Sequence, residues 1–276
     1  MTNPGGTHFT LNDGNALPII GFGVFLVSNN DVVASVTSAL DVGYRLIDTA
    51  SIYKNELGVG LAVKSSNIPR SQIYLTSKVW NDSHGGGKTR NSCISSLQKL
   101  DVDFIDLLLI HWPCPSQNLF VEAWKEMIEL REEGLVKSIG VSNFNVNHIE
   151  EIIAQTGVVP SVNQIECHPW LQQDSLRLFH DQHNIITQSW SPLGRGRLLS
   201  DATILDIASK HSISAAQVIL SWHLALGALP IPKSTNPDRI RENFSLTNDI
   251  LDEHDLSRIK LLDSDIRTGP NPLNFN

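Results

Sequence analysis

Four residues that can carry or move a proton lie next to short apolar runs of this sequence: Asp48, Tyr53, Lys78 and His111. Asp48, Lys78 and His111 each come at the end of such a run, and Tyr53 lies in the loop after the first run. Short apolar runs are typical of strands that are covered on both faces. The ends of parallel strands meet on one rim of a barrel, where such folds carry their chemistry, so we expect these four side chains (the tetrad) to form one site.

The chemistry that the tetrad can perform is proton transfer to a carbonyl oxygen. An ammonium beside the phenol would favour the phenolate and lower the pKa of Tyr53, while Asp48 would hold Lys78 charged and oriented. At about 4 Å and an effective dielectric constant near 20, one such ion pair interacts by roughly 4 kcal/mol before desolvation. Tyr53 could then protonate a developing alkoxide, which contributes about 10²–10⁴-fold to the rate, and His111 would bond to the same oxygen. Carbonyl reduction needs such a set, because hydride goes to carbon and a proton to oxygen.

The elements that must position the tetrad recur along the whole chain. Eight apolar runs predict β-strands at 19–21, 45–48, 73–77, 104–110, 138–141, 161–165, 185–190 and 229–231. Amphipathic helical patterns alternate with them, and this alternation predicts a parallel sheet. Eight such units in 276 residues predict an α/β protein, a (β/α)8 TIM barrel that forms one domain over 1–276, with an open doubly wound sheet as the alternative. Asp13 and Gly14 lie between two short alternating runs and predict an N-terminal β-hairpin that caps the barrel.

The composition limits the partners of the protein. With a net charge of −8 and a pI near 5.6, the chain offers no basic stripe for a nucleic acid. No run of roughly 18 apolar residues predicts a membrane span, and the first residues lack the pattern of a secretory signal. Cys93, Cys114 and Cys167 lack the spacing of a zinc site or a disulfide framework, so we expect reduced thiols and no bound metal. These features predict a cytoplasmic protein, and Cys114, three residues after His111, is a candidate reactive thiol.

The tetrad belongs to six longer motifs, and these resemble a known family. The motifs are DTASIYKNE (48–56), SKVWN (77–81), LIHWP (109–113), GVSNF (140–144), NQIECHP (163–169) and IPKS (231–234) followed by RIREN (239–243). In order and spacing they resemble the aldo-keto reductase superfamily over nearly the whole chain, from about Leu11 to the last helix. The short C-terminal tail and the loop that contains Phe25 look most like the bacterial 2,5-diketo-gluconate reductase and prostaglandin F synthase branch.

The resemblance implies roles for many residues. Tyr53 would be the general acid, with Lys78, Asp48 and His111 completing the tetrad. The nicotinamide end of NADPH/NADP+ would contact Ser142, Asn143, Gln164 and the ring of Trp190, a position where most relatives carry Tyr or Phe. The rest of the cofactor would contact Ser191, Leu193, Gly194, Arg195 and Gly196 at the pyrophosphate, Lys233, Ser234, Thr235 and Arg239 at the 2′-phosphate, and Glu242 and Asn243 near the adenine. A substrate pocket would be lined by Phe25, Trp80, His111 and Trp112, and the C-terminal tail would close one side of it.

A phosphate site is also indicated by the residue types alone. Lys233, Arg239 and Arg241 cluster within nine residues of an acidic chain, and arginine forks suit phosphate oxygens. We therefore predict a preference for NADPH over NADH.

The predicted function is the NADPH-dependent reduction of aldehydes or ketones to alcohols by a monomeric oxidoreductase, with a small carbonyl compound as its partner. Two alternatives stay open: a barrel aldolase with Lys78 as a Schiff-base nucleophile, and a cofactor-bound regulatory subunit. A Rossmann cofactor site is unsupported, because Gly21 and Gly23 lack the third glycine of that motif. Neither the physiological substrate nor the direction of the reaction follows from the sequence.

Overall fold

The computed structural model describes residues 7–246 and 249–276 and contains the predicted barrel. Its strands are β1 (His8–Thr10), β2 (Ala16–Pro18), β3 (Gly21–Gly23), β4 (Leu46–Asp48), β5 (Tyr74–Val79), β6 (Ile105–Ile110), β7 (Val136–Ser142), β8 (Val162–Glu166), β9 (Ile186–Trp190) and β10 (Leu229–Pro230). Strands β3 to β10 lie side by side in chain order, and each is parallel to the next. The backbone N–H of Gly23 donates to the carbonyl of Pro232 at 3.0 Å, which brings the first and last strands together and nearly closes the barrel.

Helices surround this sheet. Those in the described part of the chain are α1 (Asn29–Val42), α2 (Glu56–Ser65), α3 (Lys88–Leu100), α4 (Phe120–Glu132), α5 (Val146–Thr156), α6 (Asp174–Gln182), α7 (Ala202–His211), α8 (Ala215–Ala225), α9 (Pro237–Phe244) and α10 (Glu253–Lys260). Their apolar faces pack against the strands, and the large side chains of Trp124 on α4 and Trp222 on α8 are fully buried there. Within residues 7–246 and 249–276, every helix is too short or insufficiently apolar to cross a membrane.

The N-terminal hairpin β1–β2 caps the amino-terminal end of the barrel, as predicted. Phe9, Leu11 and Leu17 of the hairpin are buried and pack with barrel residues such as Leu46 and Leu107. Burying such side chains contributes about 1.5–3 kcal/mol each relative to leaving them exposed. Among the described residues, the hairpin thus covers this end of the barrel, opposite the carboxyl-terminal ends of its strands.

One strand lies two residues later than the sequence predicts. The run 19–21 was taken as the first barrel strand, but Ile19 extends the hairpin by donating to the carbonyl of Thr7 at 3.2 Å. The barrel strand is the glycine-containing segment β3. A Cβ on Gly21 would lie only 2.1 Å from Cδ2 of Leu46 on β4, so the close approach of these two strands requires glycine here. The strand lies later than expected because glycine stands at two of its three positions, so Phe22 alone carries its apolar pattern.

The C-terminal tail, residues 263–276, crosses the carboxyl-terminal ends of the strands. The backbone N–H groups of Ser264 and Ile266 both donate to the carbonyl of Trp170 at 3.1 Å. Further along, Phe275 reaches the aromatic rings of Trp80 and Trp112. The tail therefore forms part of the wall of whatever site occupies this end of the barrel.

Candidate active site

Three neighbouring strands deliver the tetrad to one place. Asp48 is the last residue of β4, and Lys78 is the second-last residue of β5. His111 follows β6 directly, and its N–H donates to the carbonyl of Val79 at 3.0 Å. Tyr53 ends a short 3₁₀ turn in the loop after β4. The four residues that the sequence places at separate strand ends therefore converge, as the barrel rule predicts.

Lys78 and Asp48 form a buried ion pair beneath Tyr53. The ammonium of Lys78 lies 2.6 Å from Oδ1 of Asp48, and neither side chain is more than 6% exposed. It also donates to the carbonyl of Thr49 at 2.9 Å and lies 3.5 Å from the hydroxyl of Tyr53. Asp48 and the carbonyl of Thr49 thus fix the position of the Lys78 ammonium, and its third contact is the hydroxyl of Tyr53.

The pKa of Tyr53 differs from the expectation. The sequence predicts that Lys78 lowers it, but burial of the ring, together with the negative charge of Asp48, raises the pKa of Tyr53 well above 10. Burial also lowers the pKa of Lys78, against the pull of Asp48 in the other direction. The extent of burial is a property of the folded chain that residue types do not reveal. Tyr53 is consequently a neutral phenol that keeps its proton throughout the neutral pH range.

His111 is a neutral imidazole beside the phenol. Its ring centroid lies 5.7 Å from that of Tyr53 and 5.0 Å from that of Trp80. Burial, and next the positive charge of Lys78, hold the pKa of His111 well below 6.5. Its Nδ1 is buried and has no hydrogen-bond partner among the described residues. The side chain lines the adjoining cavity and carries no charge.

Gln164 connects the ion pair to the centre of the barrel. Its amide nitrogen donates to Oδ2 of Asp48 and to Oε1 of Gln188, each at 2.8 Å. Its backbone carbonyl accepts from the hydroxyl of Ser142 at 2.8 Å. Gln164 was predicted to bind the cofactor, and in this structure its amide also fixes the second oxygen of Asp48.

Asn143 and Trp190 are joined by a hydrogen bond across the cavity wall. The indole N–H of Trp190 donates to the side-chain oxygen of Asn143 at 2.8 Å, and the amide nitrogen of Asn143 donates to the carbonyl of His111 at 2.9 Å. A Tyr or Phe ring has no N–H at this position. Trp190 is therefore oriented by a polar contact as well as by packing, which the sequence did not predict.

A cavity of about 1090 Å³ opens beside the tetrad at the carboxyl-terminal ends of the strands. Most predicted site residues line it: Phe25, Asp48, Tyr53, Trp80, His111, Trp112, Ser142, Asn143, Gln164, Trp190, Ser191, Leu193, Arg195, Gly196, Lys233, Ser234, Arg239, Glu242 and Asn243. Lys78 lies beneath the lining, where it supports Tyr53 and Asp48. One continuous cavity thus joins the tetrad to the predicted phosphate site.

Three residues of the predicted phosphate region do not line the cavity. Gly194 is buried in its loop, and Thr235 is exposed in the turn after Ser234. Arg241 lies in a shallow hollow between α1 and α9 instead. Residues two positions apart lie on nearly opposite sides of an α-helix, so Arg239 and Arg241 on α9 do not both point to the cavity.

Other lining residues were missed by the sequence analysis. They are Gly23, Leu26, Ile52, Pro192, Leu199, Ser214, Ala215, Ala216, Ile231 and Pro232. Pro270 and Phe275 also line the cavity, and they belong to the C-terminal tail that was expected to close one side of it. Leu26 is 78% exposed, and large exposed apolar residues often mark binding sites, but this exposure is visible only in the folded structure. The spacing of Ser214 and Gln217 predicts the start of a helix, which is α8, and does not by itself indicate a binding site.

The loop after β9 fits an anionic ligand. Ser191, Gly194, Arg195 and Gly196 all have positive φ, between 49° and 82°. This backbone path brings Arg195 to the cavity, which Lys233 and Arg239 reach from the loop and helix after β10. Three cations and the Ser234 hydroxyl suit the phosphates of NADPH better than those of NADH, which lacks the 2′-phosphate.

Comparison with known proteins agrees with this geometry. The model of the aldo/keto reductase family matches residues 20–264. The chain belongs to the aldo/keto reductase family. It is 47% identical to methylglyoxal reductase DkgA of Escherichia coli strain K12, over 100% of this chain and 99% of that protein. The predicted family, fold and oxidoreductase class are thereby confirmed.

Solved structures of aldo/keto reductases superimpose closely on this one. A reductase from Brucella melitensis is 51% identical, with a TM-score of 0.90 over 93% of this chain and 99% of that one. A mutant of Gox0644, solved in complex with NADPH, is 46% identical, with a TM-score of 0.94 over 98% of each chain. The barrel fold is therefore shared with a relative whose structure was solved in complex with NADPH.

The cysteines of this aldo/keto reductase take no part in the cavity. Cys93, Cys114 and Cys167 are free and buried. Burial raises the pKa of the Cys114 thiol to about 12, so it stays protonated at neutral pH. The suggestion that Cys114 is reactive is therefore not supported, because both access and thiolate are lacking.

Glu166 of the reductase fastens the C-terminal tail to the barrel. This carboxylate ends β8, is fully buried, and accepts from the backbone N–H and the hydroxyl of Thr268, both at 2.6 Å. The next residue, Gly269, donates to it at 3.2 Å. A Cβ on Gly269 would lie 2.4 Å from the indole ring of Trp190, so the tail rests directly on that ring. The buried carboxylate thus holds both the tail and the platform that Trp190 provides.

We predict that Glu166→Gln loosens the tail. The amide oxygen can still accept from Thr268, but the NH2 group would replace Oε2, which faces the N–H of Gly269 at 3.4 Å and the guanidinium of Arg267 at 3.8 Å, so donors would meet donors. Lost bonds to a charged group typically cost about 1.5–3 kcal/mol each. The KM for aromatic aldehydes should rise about tenfold or more, and trypsin should cut faster after Arg267. Thr268→Val is the matched control, since it removes one hydroxyl and keeps the backbone bonds. Unchanged KM and proteolysis in Glu166→Gln would contradict this role.

Proposed function

We propose that this aldo/keto reductase reduces aldehydes or ketones with NADPH and that Tyr53 donates the proton. The observation that carries the proposal is the buried ion pair of Lys78 and Asp48 directly beneath the Tyr53 hydroxyl, at one end of the cavity. A neutral phenol is the acid form that reduction consumes. We propose that His111 donates a hydrogen bond to the same carbonyl oxygen, since its neutral ring lines the same cavity.

The residues of the cavity divide between the two ligands. Ser142, Asn143, Gln164 and Trp190 would hold the nicotinamide end of the cofactor, and Arg195, Lys233, Ser234 and Arg239 its phosphates. When bound, NADPH supplies the hydride. The aromatic residues beside Tyr53 would surround the carbonyl substrate and exclude water from it.

In this proposal the ion pair of Lys78 and Asp48 stabilises the phenolate of Tyr53. When Tyr53 gives up its proton, a phenolate forms 3.5 Å from the Lys78 ammonium. The ammonium stabilises that anion as it develops, which is the kind of preorganised charge that lowers reaction barriers most. Asp48 keeps Lys78 in place through the 2.6 Å contact. The same contact argues against an aldolase, because a paired ammonium is a poor nucleophile.

The proposal is tested with a panel of carbonyl compounds and NADPH, followed by loss of absorbance at the nicotinamide band. Methylglyoxal belongs first in the panel, since relatives are methylglyoxal reductases. We expect turnover of several aldehydes. Failure of every carbonyl to consume NADPH, with cofactor binding intact, would favour the regulatory alternative instead.

We predict that Arg239→Ala raises the KM for NADPH and leaves that for NADH nearly unchanged. A charged hydrogen bond to phosphate contributes about 1.5–3 kcal/mol, so the KM for NADPH should rise about tenfold or more. Arg241→Ala is the matched control, two residues away on the same helix but outside the cavity. Equal effects of the two variants on NADPH would place the 2′-phosphate elsewhere.

Three further predictions of the sequence belong to this proposal. The protein is proposed to act as a monomer, in the cytoplasm, and as a single domain over 1–276. Sedimentation of the purified enzyme over a range of concentrations tests the first of these.

A further inference from the structure

A glutamine in the interior of the barrel holds the side chain of Gln164. Gln188 lies on β9, paired in parallel register with Gln164 on β8, and it is fully buried. Its Oε1 accepts a hydrogen bond from the amide nitrogen of Gln164 at 2.8 Å. Gln164 lines the described cavity, whereas Gln188 does not. Any effect of the Gln188 side chain on a ligand in the cavity would therefore pass through Gln164.

The orientation of the Gln164 amide follows from its two neighbours. The carboxylate of Asp48 only accepts hydrogen bonds, so the atom of Gln164 that lies 2.8 Å from its Oδ2 must be the nitrogen. That nitrogen carries two N–H groups, and the second donates to Oε1 of Gln188. Both donors of Gln164 are thus used inside the barrel. Its Oε1 accepts no hydrogen bond among the described residues and is the atom that Gln164 can offer to a ligand.

The amide of Gln188 has one polar atom without a partner. Its Nε2 is buried and makes no hydrogen bond among the described residues. Turning this amide over would bring its N–H groups against the N–H of Gln164, so the oxygen must face Gln164. A buried N–H without a partner costs free energy, and an apolar side chain of similar size would avoid that cost. The bond to Gln164 is therefore what distinguishes a glutamine from an apolar residue at position 188.

We propose that Gln188 is a positioning residue for the cofactor, because it fixes the Gln164 amide with its oxygen ready to accept from the N–H of the nicotinamide carboxamide. The proposal rests on the proposed function, in which Gln164 holds the nicotinamide end. Without Gln188, the amide of Gln164 would keep its bond to Asp48 but could rotate, since one contact does not fix a planar group. An acceptor that is held in place before the ligand arrives binds more tightly, because less ordering is needed on binding.

The test compares the dissociation constants of NADP+ and its 3-acetylpyridine analogue, in which a methyl group replaces the NH2 of the carboxamide. Quenching of protein fluorescence measures both constants without turnover. Their ratio, analogue over NADP+, reports the hydrogen bonds that the NH2 group donates. In Gln188→Met we expect this ratio to fall by about two- to tenfold, the range of one neutral hydrogen bond. The two ligands are compared on one protein preparation, so a lower folded fraction does not change the ratio.

Two further variants separate positioning from a general effect of substitution. Gln188→Glu keeps an oxygen acceptor in the same place, so it should retain the ratio of the wild type. Gln172→Met makes the same change at another buried glutamine, which does not line the cavity and whose amide donates to the carbonyls of Pro169 and Ile259. This variant should also retain the wild-type ratio, because Gln164 keeps both of its partners.

Each outcome bears either on Gln188 or on the cofactor site as a whole. An unchanged ratio in Gln188→Met overturns the role of Gln188. An equal fall in Gln188→Glu or Gln172→Met does the same, since loss of the acceptor would then not be the cause. Equal binding of the two ligands by the wild type also overturns it, because Gln164 would not bind the carboxamide, while carbonyl reduction would stay in place. Failure of the wild type to bind NADP+ would overturn the proposed function itself.

Discussion

Replacing Tyr53 with phenylalanine is expected to lower kcat by about 10²–10⁴-fold, which is the typical contribution of a positioned general acid. The substitution removes one oxygen and keeps the ring that packs against Phe25 and His111. That oxygen is the atom 3.5 Å from the Lys78 ammonium, where the proposed proton leaves. Steady-state kinetics with an aldehyde gives kcat, and quenching of protein fluorescence by NADPH gives the dissociation constant of the cofactor, which should stay near that of the wild type.

Tyr44→Phe is the matched control for this experiment. Tyr44 is buried in the core against Phe22 and Phe244, and its hydroxyl has no hydrogen-bond partner among the described residues. Removing that oxygen deletes the same atom far from the cavity, so kcat should stay close to that of the wild type. If Tyr53→Phe also keeps most of its activity, another group donates the proton, and His111 becomes the first candidate.

The arrangement of the tetrad could be predicted because it depends on a regular feature of the chain. Asp48, Lys78 and His111 follow runs that read as neighbouring parallel strands, and in a barrel the ends of such strands meet. The prediction also did not depend on the exact bounds of the strands. β5 runs two residues beyond the predicted range, to Val79, yet Lys78 still reaches Asp48 because both strands keep a parallel register. The periodicity of the apolar residues and the order of the strands were sufficient to predict that the tetrad converges.

Features that depend on the burial of a side chain, or on contacts between residues far apart in the chain, could not be predicted. The contact between Glu166 and Thr268 joins residues 102 positions apart. The tail was expected to close one side of the substrate pocket, but nothing in its sequence indicates that Glu166 holds it there. The raised pKa of Tyr53 could not be predicted either, since the sign of the shift depends on how completely the phenol is buried. Trp190 was predicted as a flat platform, but its N–H bond to Asn143 required the relative positions of two loops.

Replacing Lys78 with methionine is expected to reduce both activity and the free energy of unfolding. Methionine fills most of the space, but it leaves the Asp48 carboxylate buried with Gln164 as its remaining side-chain donor. Removing one partner of a buried ion pair typically costs about 3–5 kcal/mol. Urea denaturation followed by circular dichroism measures this loss, and kcat should fall because the phenolate of Tyr53 would no longer be stabilised.

Two controls show whether the effects of Lys78→Met come from the buried charge: a double variant, and a substitution in an exposed ion pair. In Lys78→Met with Asp48→Asn the buried charge is gone, so much of the lost stability should return, while activity should stay low because the ammonium is still missing. The pair of Lys64 and Asp101 has side chains that are 69% and 62% exposed, so Lys64→Met should change the free energy of unfolding by less than about 1 kcal/mol. If the two lysine variants lost equal stability, burial would not be the cause. If the double variant regained activity along with stability, Lys78 would serve only to neutralise Asp48, and the stabilisation of the Tyr53 phenolate would have to come from elsewhere in the cavity.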